Sequence, residues 1–427
     1  MADENEQPPA DADGEEEEEE DDDDDLVDES IPAERSGHVA VTDGQSIFVW
    51  GGYKVLRGDW GGYVIFTDIY IQNAPVRGFY DFYLPRDEIW IYDMENGSWQ
   101  RVKTKGEIPL SMSGSCAACV DKVLYLFGGH HAHGNTNMFY MLNLNPRDGD
   151  LFWEKVDCKG IPPSPKDKLG VWTYKNKLVY FGGYGYYQED IVGTFEFDET
   201  SFGNVGLPRG WNNHVHVLNL DNFTWERPVT TGKSPSPRAA HSCATVGNRG
   251  YVFGGRYRDS RMNDMYYLNF STWEWHEVIT QGGNPVGRSW HSLTQASSDS
   301  LFLFGGFTTD KQPLSDAWIY RLSTNEWIPF MNHHSEKPRL WHTACGSKEG
   351  EIFVFGGCAN NLLAHHRAAH SNEVLVFPVQ PKSLVRLCLE TVILFKEMLA
   401  NSLDCLPKHL LCNLHQRFAS NTNTCGS

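Results

Sequence analysis

Six glycine pairs punctuate the chain, and they constrain its fold more than any other feature. Each pair follows a short run of aliphatic and aromatic residues, such as Leu124–Phe127 before the second pair. These runs are apolar on both faces and too short for helices, so they indicate buried strands. The pairs are Gly51-Gly52, Gly128-Gly129, Gly182-Gly183, Gly254-Gly255, Gly305-Gly306 and Gly356-Gly357.

Two further features recur with the glycine pairs. The phrase Arg-x-x-His precedes four of them, and degenerate versions stand at 109–115 and 163–170; the four copies begin at Arg35, Arg238, Arg288 and Arg339. Tryptophans follow five pairs, at Trp99, Trp153, Trp225, Trp275 and Trp327. One histidine per unit at the same place indicates a structural residue rather than a metal ligand. We expect the tryptophans to pack between units.

Six units of about 50 residues, each with four short strands, predict an all-β fold, a six-bladed β-propeller. The pattern resembles the kelch repeat, over residues 32 to about 379. We expect a disordered acidic tail at 1–30, a kelch propeller at 31–380, a short α-helical segment at 381–418 and a flexible tail at 419–427. Blade six lacks an obvious outer strand, and Leu26–Ile31 is expected to supply it.

The formal charge of −20 is concentrated at one end of the chain, because residues 1–30 hold 18 of the 56 acidic residues and no lysine or arginine. A solvated tail is expected there, with a docking site for a basic partner as the alternative. Nothing is basic enough to indicate nucleic-acid binding. No apolar run reaches the roughly 18–20 residues that a membrane span needs, and no signal peptide is expected. Ten cysteines without paired spacing are typical of reduced thiols, which suggests the nucleus and cytoplasm.

The loop after the fourth glycine pair departs from the repeat, because it carries Arg256, Arg258 and Arg261. In an antiparallel blade this loop shares a face with the start of the next blade, at Arg288 and Ser289. Guanidinium groups, a hydroxyl and aromatic walls that converge on one cavity would bind a small anion, above all a carboxylate.

Two questions about these arginines stay open in the sequence. They can instead be solvated residues that pair with Asp259 and Asp264. If they do line the channel, we expect Arg256 and Arg261 to face it. Two insertions, at 54–77 and 186–211, begin on the same rim, where binding residues usually lie.

Other clusters of reactive side chains are weaker indications of a functional site. Cys116 and Cys119 are expected on opposite faces of one strand and therefore not to form a ligand pair. His130-His131-Ala-His133 has no second pair to complete a metal site, and His365, His366 and His370 are expected at the surface. An enzyme of the galactose-oxidase type would need a copper site that these residues do not assemble. We expect no catalysis, no metal and no cofactor.

After Pro381 the apolar period changes from 2 to 3.6, which predicts a helix with Ser383 as its N-cap. Its apolar stripe comprises Leu384, Leu387, Cys388, Val392, Phe395 and Leu399. A second helix is predicted to begin at Leu406-Pro407. The simplest interpretation is a helical pair packed against the propeller. The spacing also matches two short binding motifs, the elongin-binding BC-box at Leu384, Cys388 and Val392 and the cullin-2 box at Leu406, Pro407 and Leu410.

A kelch domain followed by these boxes resembles the substrate receptors of cullin-2 RING ubiquitin ligases. The resemblance implies elongin B, elongin C and cullin-2 with its RING subunit as partners. It also implies substrates that end in Gly-Gly and that are ubiquitinated and degraded by the proteasome. The implied carboxylate-binding residues are Arg256, Arg261 and Ser289. The implied pocket walls are Tyr53, Lys168, Tyr184, Trp211, Trp290, Leu362 and Leu363.

Two alternatives accompany this interpretation. The chain can instead be a kelch scaffold or a transcription-factor-binding protein without a role in ubiquitin ligation. The chain also ends in Gly426-Ser427, two small residues with a free carboxylate. We expect this end to enter the pocket of another copy as a weak pseudosubstrate and to promote self-association, the alternative being an inert terminus.

Overall fold

A computed structural model describes residues 30–58, 78–145, 149–202, 207–331 and 333–399, together with residues 403, 406–408, 410, 411 and 414. Most of the acidic tail, much of the first insertion and the C-terminal Gly426-Ser427 therefore lie outside the described residues. Within them the regular structure is nearly all β up to residue 378, and the α-helices follow residue 383.

Six antiparallel blades form a β-propeller, which confirms the predicted fold class. We name the strands of each blade A to D from the central axis outward. Blade one is Val39–Thr42, Ser46–Trp50, Glu88–Asp93 and Trp99–Gly106; blade two is Cys116–Val120, Val123–Phe127, Phe139–Asn143 and Leu151–Lys155; blade three is Gly170–Tyr174, Lys177–Phe181, Val215–Asn219 and Thr224–Glu226. Blade four is Ser242–Val246, Arg249–Phe253, Met265–Asn269 and Glu274–Glu277; blade five is Ser292–Ser297, Ser300–Phe307, Pro313–Arg321 and Glu326–Phe330; blade six is Thr343–Gly346, Glu351–Phe355 and Val374–Pro378.

Smaller strands lie on one face of the ring, where the loops between strands B and C emerge. Three hairpins pair Tyr53–Gly58 with Gly78–Tyr83, His130–His131 with Gly134–Asn135, and Arg256–Tyr257 with Ser260–Arg261. Blade three adds a four-stranded sheet made of Lys166–Asp167, Tyr184–Tyr186, Arg209–Asn212 and Phe195–Phe197. The remaining short elements are Thr231–Gly232, which pairs with strand D of blade four, and the 3-10 turns Glu199–Ser201 and His365–Arg367.

The Arg-x-x-His phrase binds the glycine pair of its own unit. The buried Arg238 donates to the carbonyl of Gly254 at 3.0 Å and forms a bidentate ion pair with Asp264. Arg288 repeats this arrangement with Gly305 and Asp316. Gly254 has φ +63°, and a Cβ there would lie 2.7 Å from the carbonyl oxygen of Arg288, so only glycine fits.

The histidines of the phrase lie between blades as structural residues. His291 hydrogen-bonds the carbonyl of Phe253 in the preceding blade at 3.0 Å, and its ring packs edge-on against that phenyl ring. Burial, followed by the neighbouring Arg288, holds the pKa of His291 well below its usual value. The neutral imidazole is therefore the form that the fold requires.

The tryptophans pack between blades as expected. Each lies in strand D and contacts the last residue of strand B in the preceding blade, as Trp275 does with Phe181 at a centroid distance of 5.0 Å. Trp99 of blade one contacts Phe355 of blade six at 4.8 Å, so the same contact closes the ring. The remaining pairs are Trp153 with Trp50, Trp225 with Phe127, and Trp327 with Phe253.

Blade six has three strands among the described residues. Of the predicted closing strand Leu26–Ile31, residues 26–29 lie outside the described part, and Ser30 and Ile31 form a turn and a bend rather than a strand. The sixth unit also lacks the repeated tryptophan. Phe377 of its outermost described strand takes that place and packs on Phe304 of blade five at 4.7 Å.

A ring of six backbone hydrogen bonds encircles the axis on the face that carries the hairpins. The N–H of each member donates to the carbonyl of the equivalent residue in the preceding blade, over 2.8–3.0 Å. All six members have positive φ, between 53° and 67°. They are Gly37, Gly114, Lys168, Ala240, Trp290 and Trp341. Because Gly37 accepts from Gly114 and donates to Trp341, the ring is closed.

The C-terminal segment forms α1 (Leu384–Leu394) and α2 (Lys396–Leu399). The Ser383 side chain accepts from the Arg386 N–H at 3.2 Å, so the expected N-cap is present. Leu389 is buried, and Arg386 ion-pairs with Glu351 of the propeller at 3.9 Å. The predicted apolar stripe is largely exposed, which is not the packing expected of a helical pair; its exposed members are Leu384, Leu387, Cys388 and Phe395.

Further along, the N–H groups of Leu410 and Leu411 both donate to the carbonyl of Pro407, at 2.9 and 3.0 Å. A helical turn therefore begins at the predicted proline. None of the helices in the described part of the chain is long and apolar enough to cross a membrane.

Candidate functional site

The backbone ring forms the floor of a pocket. Four of its members are not glycine, yet they adopt the left-handed conformation, which costs about 1–3 kcal/mol for such residues and is common at binding sites. The indoles of Trp290 and Trp341 stack there with centroids 5.2 Å apart. Gly37 makes room for them, since a Cβ would lie 2.9 Å from the Trp341 ring. A cavity of about 150 Å³ lies in the channel at the ring; ring residues and the phrase histidines line it, and Arg256 and Arg261 are not part of its lining.

The arginine hairpin stands beside this floor. Arg256 and Arg261 are direct cross-strand partners and therefore lie on the same face of the hairpin. The third arginine, Arg258, lies in the turn and points away, with its side chain 56% exposed and paired with Glu196 at 3.7 Å. The alternative pairing with Asp264 is wrong, because Asp264 forms its ion pair with Arg238. Asp259 acts electrostatically on Arg261, but no ion pair between the two is present among the described residues.

Arg261 is the buried member of the pair, at 9% exposure. Its Nε donates to the Ser289 hydroxyl at 3.0 Å, and its guanidinium carbon lies 4.8 Å from the centroid of the Phe307 ring. Burial, followed by repulsion from Arg256, lowers the pKa of Arg261 to about 10. In the described part of the chain, no carboxylate forms an ion pair with Arg261.

Blade three supplies one wall of the pocket. The Lys168 ammonium ion-pairs with Asp167 at 2.6 Å and lies 5.8 Å and 5.5 Å from the ring centroids of Tyr184 and Trp341. Tyr184 packs against Trp211, with centroids 5.3 Å apart. The small sheet of blade three sets this arrangement, because it places Tyr184 directly opposite Trp211.

This wall reaches the arginine hairpin at Tyr257, whose ring lies 5.8 Å from that of Trp211. The Tyr184 hydroxyl donates to Asp198 at 2.9 Å. Burial and this carboxylate raise the pKa of Tyr184. The phenol therefore stays protonated and keeps its place in the wall.

Blades one and six supply the opposite wall. The Tyr53 ring contacts Trp341 at 5.5 Å and shares a buried apolar cluster with Trp290, Phe307 and Leu362. Leu363 is 48% exposed, at the edge of this wall. The expectation that His370 lies at the surface is wrong, because it hydrogen-bonds the Ser36 hydroxyl at 2.7 Å and packs on Tyr53.

The contacts thus connect most of the expected site residues into one lining. They run from Arg261 and Ser289 through Phe307 and Trp290 to Trp341, and from there to Tyr53 and Lys168. Arg288 is the exception on the rim, since it is fully buried and committed to Asp316. The pocket can hold a small anion at its arginine end and narrow apolar groups between its aromatic walls.

A second candidate surface lies on α1. Leu384 is 77% exposed and Cys388, one turn later, is exposed as well, whereas Val392 is partly buried. Beyond the helix, Pro407 is exposed and Leu406 and Leu410 are partly buried. An exposed leucine on a capped helix is an unsatisfied apolar surface of the kind that fits a groove on a partner.

Comparison with known proteins identifies the family of the chain. The model of a KLHDC2/KLHL20/DRC7 Kelch-repeats domain matches residues 78–293, 201–357 and 279–387. The chain belongs to the kelch-repeat family. It is 70% identical over 397 residues to Kelch domain-containing protein 2 of Homo sapiens, with 93% of each chain covered. It is 44% identical over 385 residues to Kelch domain-containing protein 1 of Mus musculus, with 89% of each covered.

A solved structure described as "Structure of YjhT" covers 81% of this chain and 96% of its own, with a TM-score of 0.55 and 12% identity. At that identity the likeness shows the fold alone. The resemblance to the kelch repeat family, predicted from the glycine pairs and the Arg-x-x-His phrase, is confirmed by the family model and the relatives.

Some residues of this kelch pocket carry no signal in the sequence. Asp167 and Asp198 hold Lys168 and Tyr184 in place, but neither belongs to a repeated phrase. Lys166 is fully buried two residues before Lys168, and burial lowers its pKa to about 7. Trp341, in contrast, does carry a signal in the sequence, because it has the position of Trp290 in the next unit of the repeat.

The other histidines and cysteines in the described part of the chain are not gathered into a second candidate site. His130 hydrogen-bonds the Tyr83 hydroxyl at 2.8 Å, and burial lowers its pKa. Cys116 and Cys119 belong to two different apolar clusters, as their spacing predicts. Across the described residues, no group of three or more His, Cys, Asp or Glu side chains is placed to hold a metal ion.

Proposed function

We propose that this protein is the substrate-recognition subunit of a cullin-2–elongin BC RING ubiquitin ligase. Its propeller pocket binds proteins that end in Gly-Gly and so directs them to ubiquitination and proteasomal degradation. The protein itself is a non-catalytic receptor and acts in the nucleus and cytoplasm. The 70% identity to Kelch domain-containing protein 2 supports a kelch interaction protein, and the following contacts support the finer assignment.

The opposed pair Arg256 and Arg261 carries the proposal. Like charges directly across a strand pair destabilise each other, and Arg256 indeed lowers the pKa of Arg261. The buried phrase arginines of blades four to six, Arg238, Arg288 and Arg339, each pair with a carboxylate, whereas Arg35 of blade one donates to the carbonyls of Ala33 and Gly51. An anion bound between Arg256 and Arg261 would remove their repulsion and complete their hydrogen bonds.

The shape of the pocket favours a chain end without side chains. The closed backbone ring and the stacked Trp290 and Trp341 support this, because we expect a side chain on the last residues of the ligand to collide with an indole. The Trp290 indole N–H is buried without an acceptor among the described residues, so it can donate to a ligand carbonyl. An internal Gly-Gly lacks the terminal carboxylate and would leave Arg261 buried and unpaired, which costs several kcal/mol.

One binding measurement tests the pocket. A peptide that ends in Gly-Gly is compared as free acid and as C-terminal amide by titration calorimetry. We expect the amide to bind about 100-fold more weakly, because it removes a charge-assisted hydrogen-bond set worth roughly 3 kcal/mol. Equal affinities for the two forms would contradict carboxylate recognition.

A second experiment separates the ligase receptor from a kelch scaffold without a ubiquitin role. Elongin B and C should co-purify with the full chain, and Leu384→Ser should abolish this, because it removes an exposed apolar anchor of α1. Val385→Ser, one residue away on the same helix, is the matched control. If elongins fail to bind the unmodified chain, the scaffold interpretation stands.

We also propose that Gly426-Ser427 enters the pocket of a second copy as a weak pseudosubstrate. These residues lie outside the described part of the chain, so the support for this proposal is their small size. Deleting both should lower the mass in multi-angle light scattering and raise the affinity for a Gly-Gly peptide. If neither the mass nor the peptide affinity changes, the proposal is wrong and the terminus is inert.

A further inference from the structure

The cationic mouth of the pocket faces a second anion source in the same chain. Arg256 and Arg261 form no close ion pair among the described residues, although Asp198 acts electrostatically on Arg256 and Asp259 on Arg261, whereas Lys168 is paired with Asp167 and Arg258 with Glu196. The segment 15–25 is an unbroken run of eleven Glu and Asp residues. Opposite charges of this size on one molecule attract each other unless distance or geometry separates them.

The point where the described chain begins is on the pocket face. The Arg35 N–H donates to the carbonyl of Ser371 at 3.1 Å, and the carbonyl of Pro32 accepts from the Asn372 side chain at 3.2 Å. Ser36 then exchanges both backbone hydrogen bonds with Tyr53, at 3.0 Å each. Since Tyr53 belongs to the pocket wall, the acidic run is attached beside the pocket.

The attachment is short enough for the run to reach the arginines. Asp25 precedes Ser36 by eleven residues, and an extended chain covers at most about 3.3–3.6 Å per residue. The acidic run therefore begins within about 40 Å of the pocket wall along the chain. A short tether of this kind gives an effective local concentration in the millimolar range.

We propose that the acidic segment 15–25 binds Arg256 and Arg261 at the pocket mouth and competes with the C-terminal carboxylate of the substrate. The inference rests on the proposed function of Arg256 and Arg261. It assigns the acidic segment a role as an internal, electrostatic competitor, so that only ligands with a well-fitting carboxylate end displace it. The contact is between solvated charges, so salt screens it over a Debye length of about 10 Å at 0.1 M.

The test compares the full chain with a variant of equal length in which Glu15 to Asp25 are all replaced by Gln and Asn. The probe is a peptide that ends in Gly-Gly, titrated at roughly 50 mM and 500 mM salt, on either side of the screening range. We expect the neutralised variant to bind about three- to tenfold more tightly at low salt and equally at high salt. The paired substitution Asp121→Asn and Glu154→Gln removes surface charge elsewhere and should change little.

Two outcomes overturn the proposal: equal affinities at low salt, or weaker binding by the neutralised variant, which would mean that the acidic run attracts ligands instead. A second probe, a synthetic peptide of residues 15–25, is titrated into the neutralised variant with and without Arg256→Gln. The acidic peptide should bind the neutralised variant that retains Arg256. Its affinity should fall at least threefold when Arg256→Gln is added. If the Gly-Gly peptide binds neither chain, the proposed function fails, while the acidic peptide still decides this inference.

Discussion

At the scale of single residues, the buried arginines fall into groups according to the partners of their charge. Arg238, Arg288 and Arg339 are structural, since each is buried against a carboxylate of its own blade. Arg261 is 9% exposed; its Nε donates to the Ser289 hydroxyl, its guanidinium lies over the Phe307 ring, and Asp259 acts on it electrostatically without a close ion pair. Arg35 is also buried and donates to the carbonyls of Ala33 and Gly51, so what distinguishes Arg261 is the like-charged Arg256 directly across the hairpin, which favours an anion between the two.

We expect Arg261→Gln to weaken binding of a Gly-Gly peptide by about 100-fold, because hydrogen bonds to a charged group contribute roughly 1.5–3 kcal/mol. The free energy of unfolding should change little, since the substitution also removes the repulsion from Arg256. Titration calorimetry and urea denaturation measure the two quantities. Arg258→Gln is the control, with an expected change below twofold; an equal loss for both variants would contradict the assigned site.

The buried histidines predict a dependence of stability on pH. Burial is the first cause that lowers the pKa of His241 and of His342 to about 3, and nearby arginines add to it. In the unfolded chain these groups take up protons below pH 6.5, and in the folded chain they remain neutral down to about 3. Their contribution is therefore complete above pH 6.5 and is lost progressively below it.

Between pH 7 and 5.5 we expect each of these histidines to lower the free energy of unfolding by about 1 kcal/mol. Urea denaturation of the isolated chain at both pH values measures the total. His241→Gln should reduce the change in the free energy of unfolding between the two pH values by the contribution of one histidine, about 1 kcal/mol. Replacing the exposed His366 should leave that change as it is. A pH-independent midpoint in this range would show that the imidazoles titrate alike in the folded and the unfolded chain, and would contradict their burial as neutral groups.

Residue patterns predicted part of this site. Arg256 and Arg261 could be selected because they break the repeat, and the structure brings them together on one face. Arg288 could not be separated from them by sequence, because its partner Asp316 lies 28 residues later in a strand whose register was unknown. His370 was misplaced for the same reason, since its contacts with Ser36 and Tyr53 cross the whole chain.

At the scale of elements, the arginine hairpin depends on its turn. Arg258 has φ +53°, a conformation that suits glycine and strains most other residues. Its side chain contributes one exposed ion pair with Glu196, which is worth at most about 1 kcal/mol. The hairpin therefore needs the backbone of this position more than its side chain.

We expect Arg258→Gly to keep the free energy of unfolding within about 1 kcal/mol and peptide affinity within twofold, since the backbone strain it relieves offsets the lost ion pair. Arg258→Val should instead destabilise by about 1–2 kcal/mol, because a β-branched residue resists positive φ. Thermal denaturation and peptide titration on the two variants check this. A stable Arg258→Val variant with full affinity would show that the turn adapts.

Elements with strong local patterns were the most predictable ones. The strands before each glycine pair, the N-cap at Ser383 and the turn at Pro407 all follow from short-range chemistry. The exposed stripe of α1 did not follow, since amphipathic spacing shows which residues share a face but not whether that face is covered. Blade six was uncertain because its outer-strand tryptophan is replaced by Phe377, contributed by a different strand.

At the scale of the whole molecule, the propeller is a closed ring whose joints are of two kinds. Five neighbouring pairs of blades are joined by the continuous chain. Among the described residues, blades one and six are joined by packing and hydrogen bonds, chiefly Trp99 on Phe355 and the Gly37 N–H to the Trp341 carbonyl. Because Tyr53 and Trp341 lie on either side of that joint, the pocket wall depends on its closure.

Trp99→Ala should therefore open the ring locally. Truncating a packed tryptophan costs about 3–5 kcal/mol, and at this joint no covalent connection holds the blades together. We expect hydrogen exchange to accelerate in blades one and six, and peptide affinity to fall although no ligand contact is removed. Trp275→Ala deletes the same contact between blades three and four, where the chain continues, so its exchange should accelerate around that joint and affinity should fall less. Equal effects of the two variants on affinity would mean that the pocket does not depend on where the ring closes.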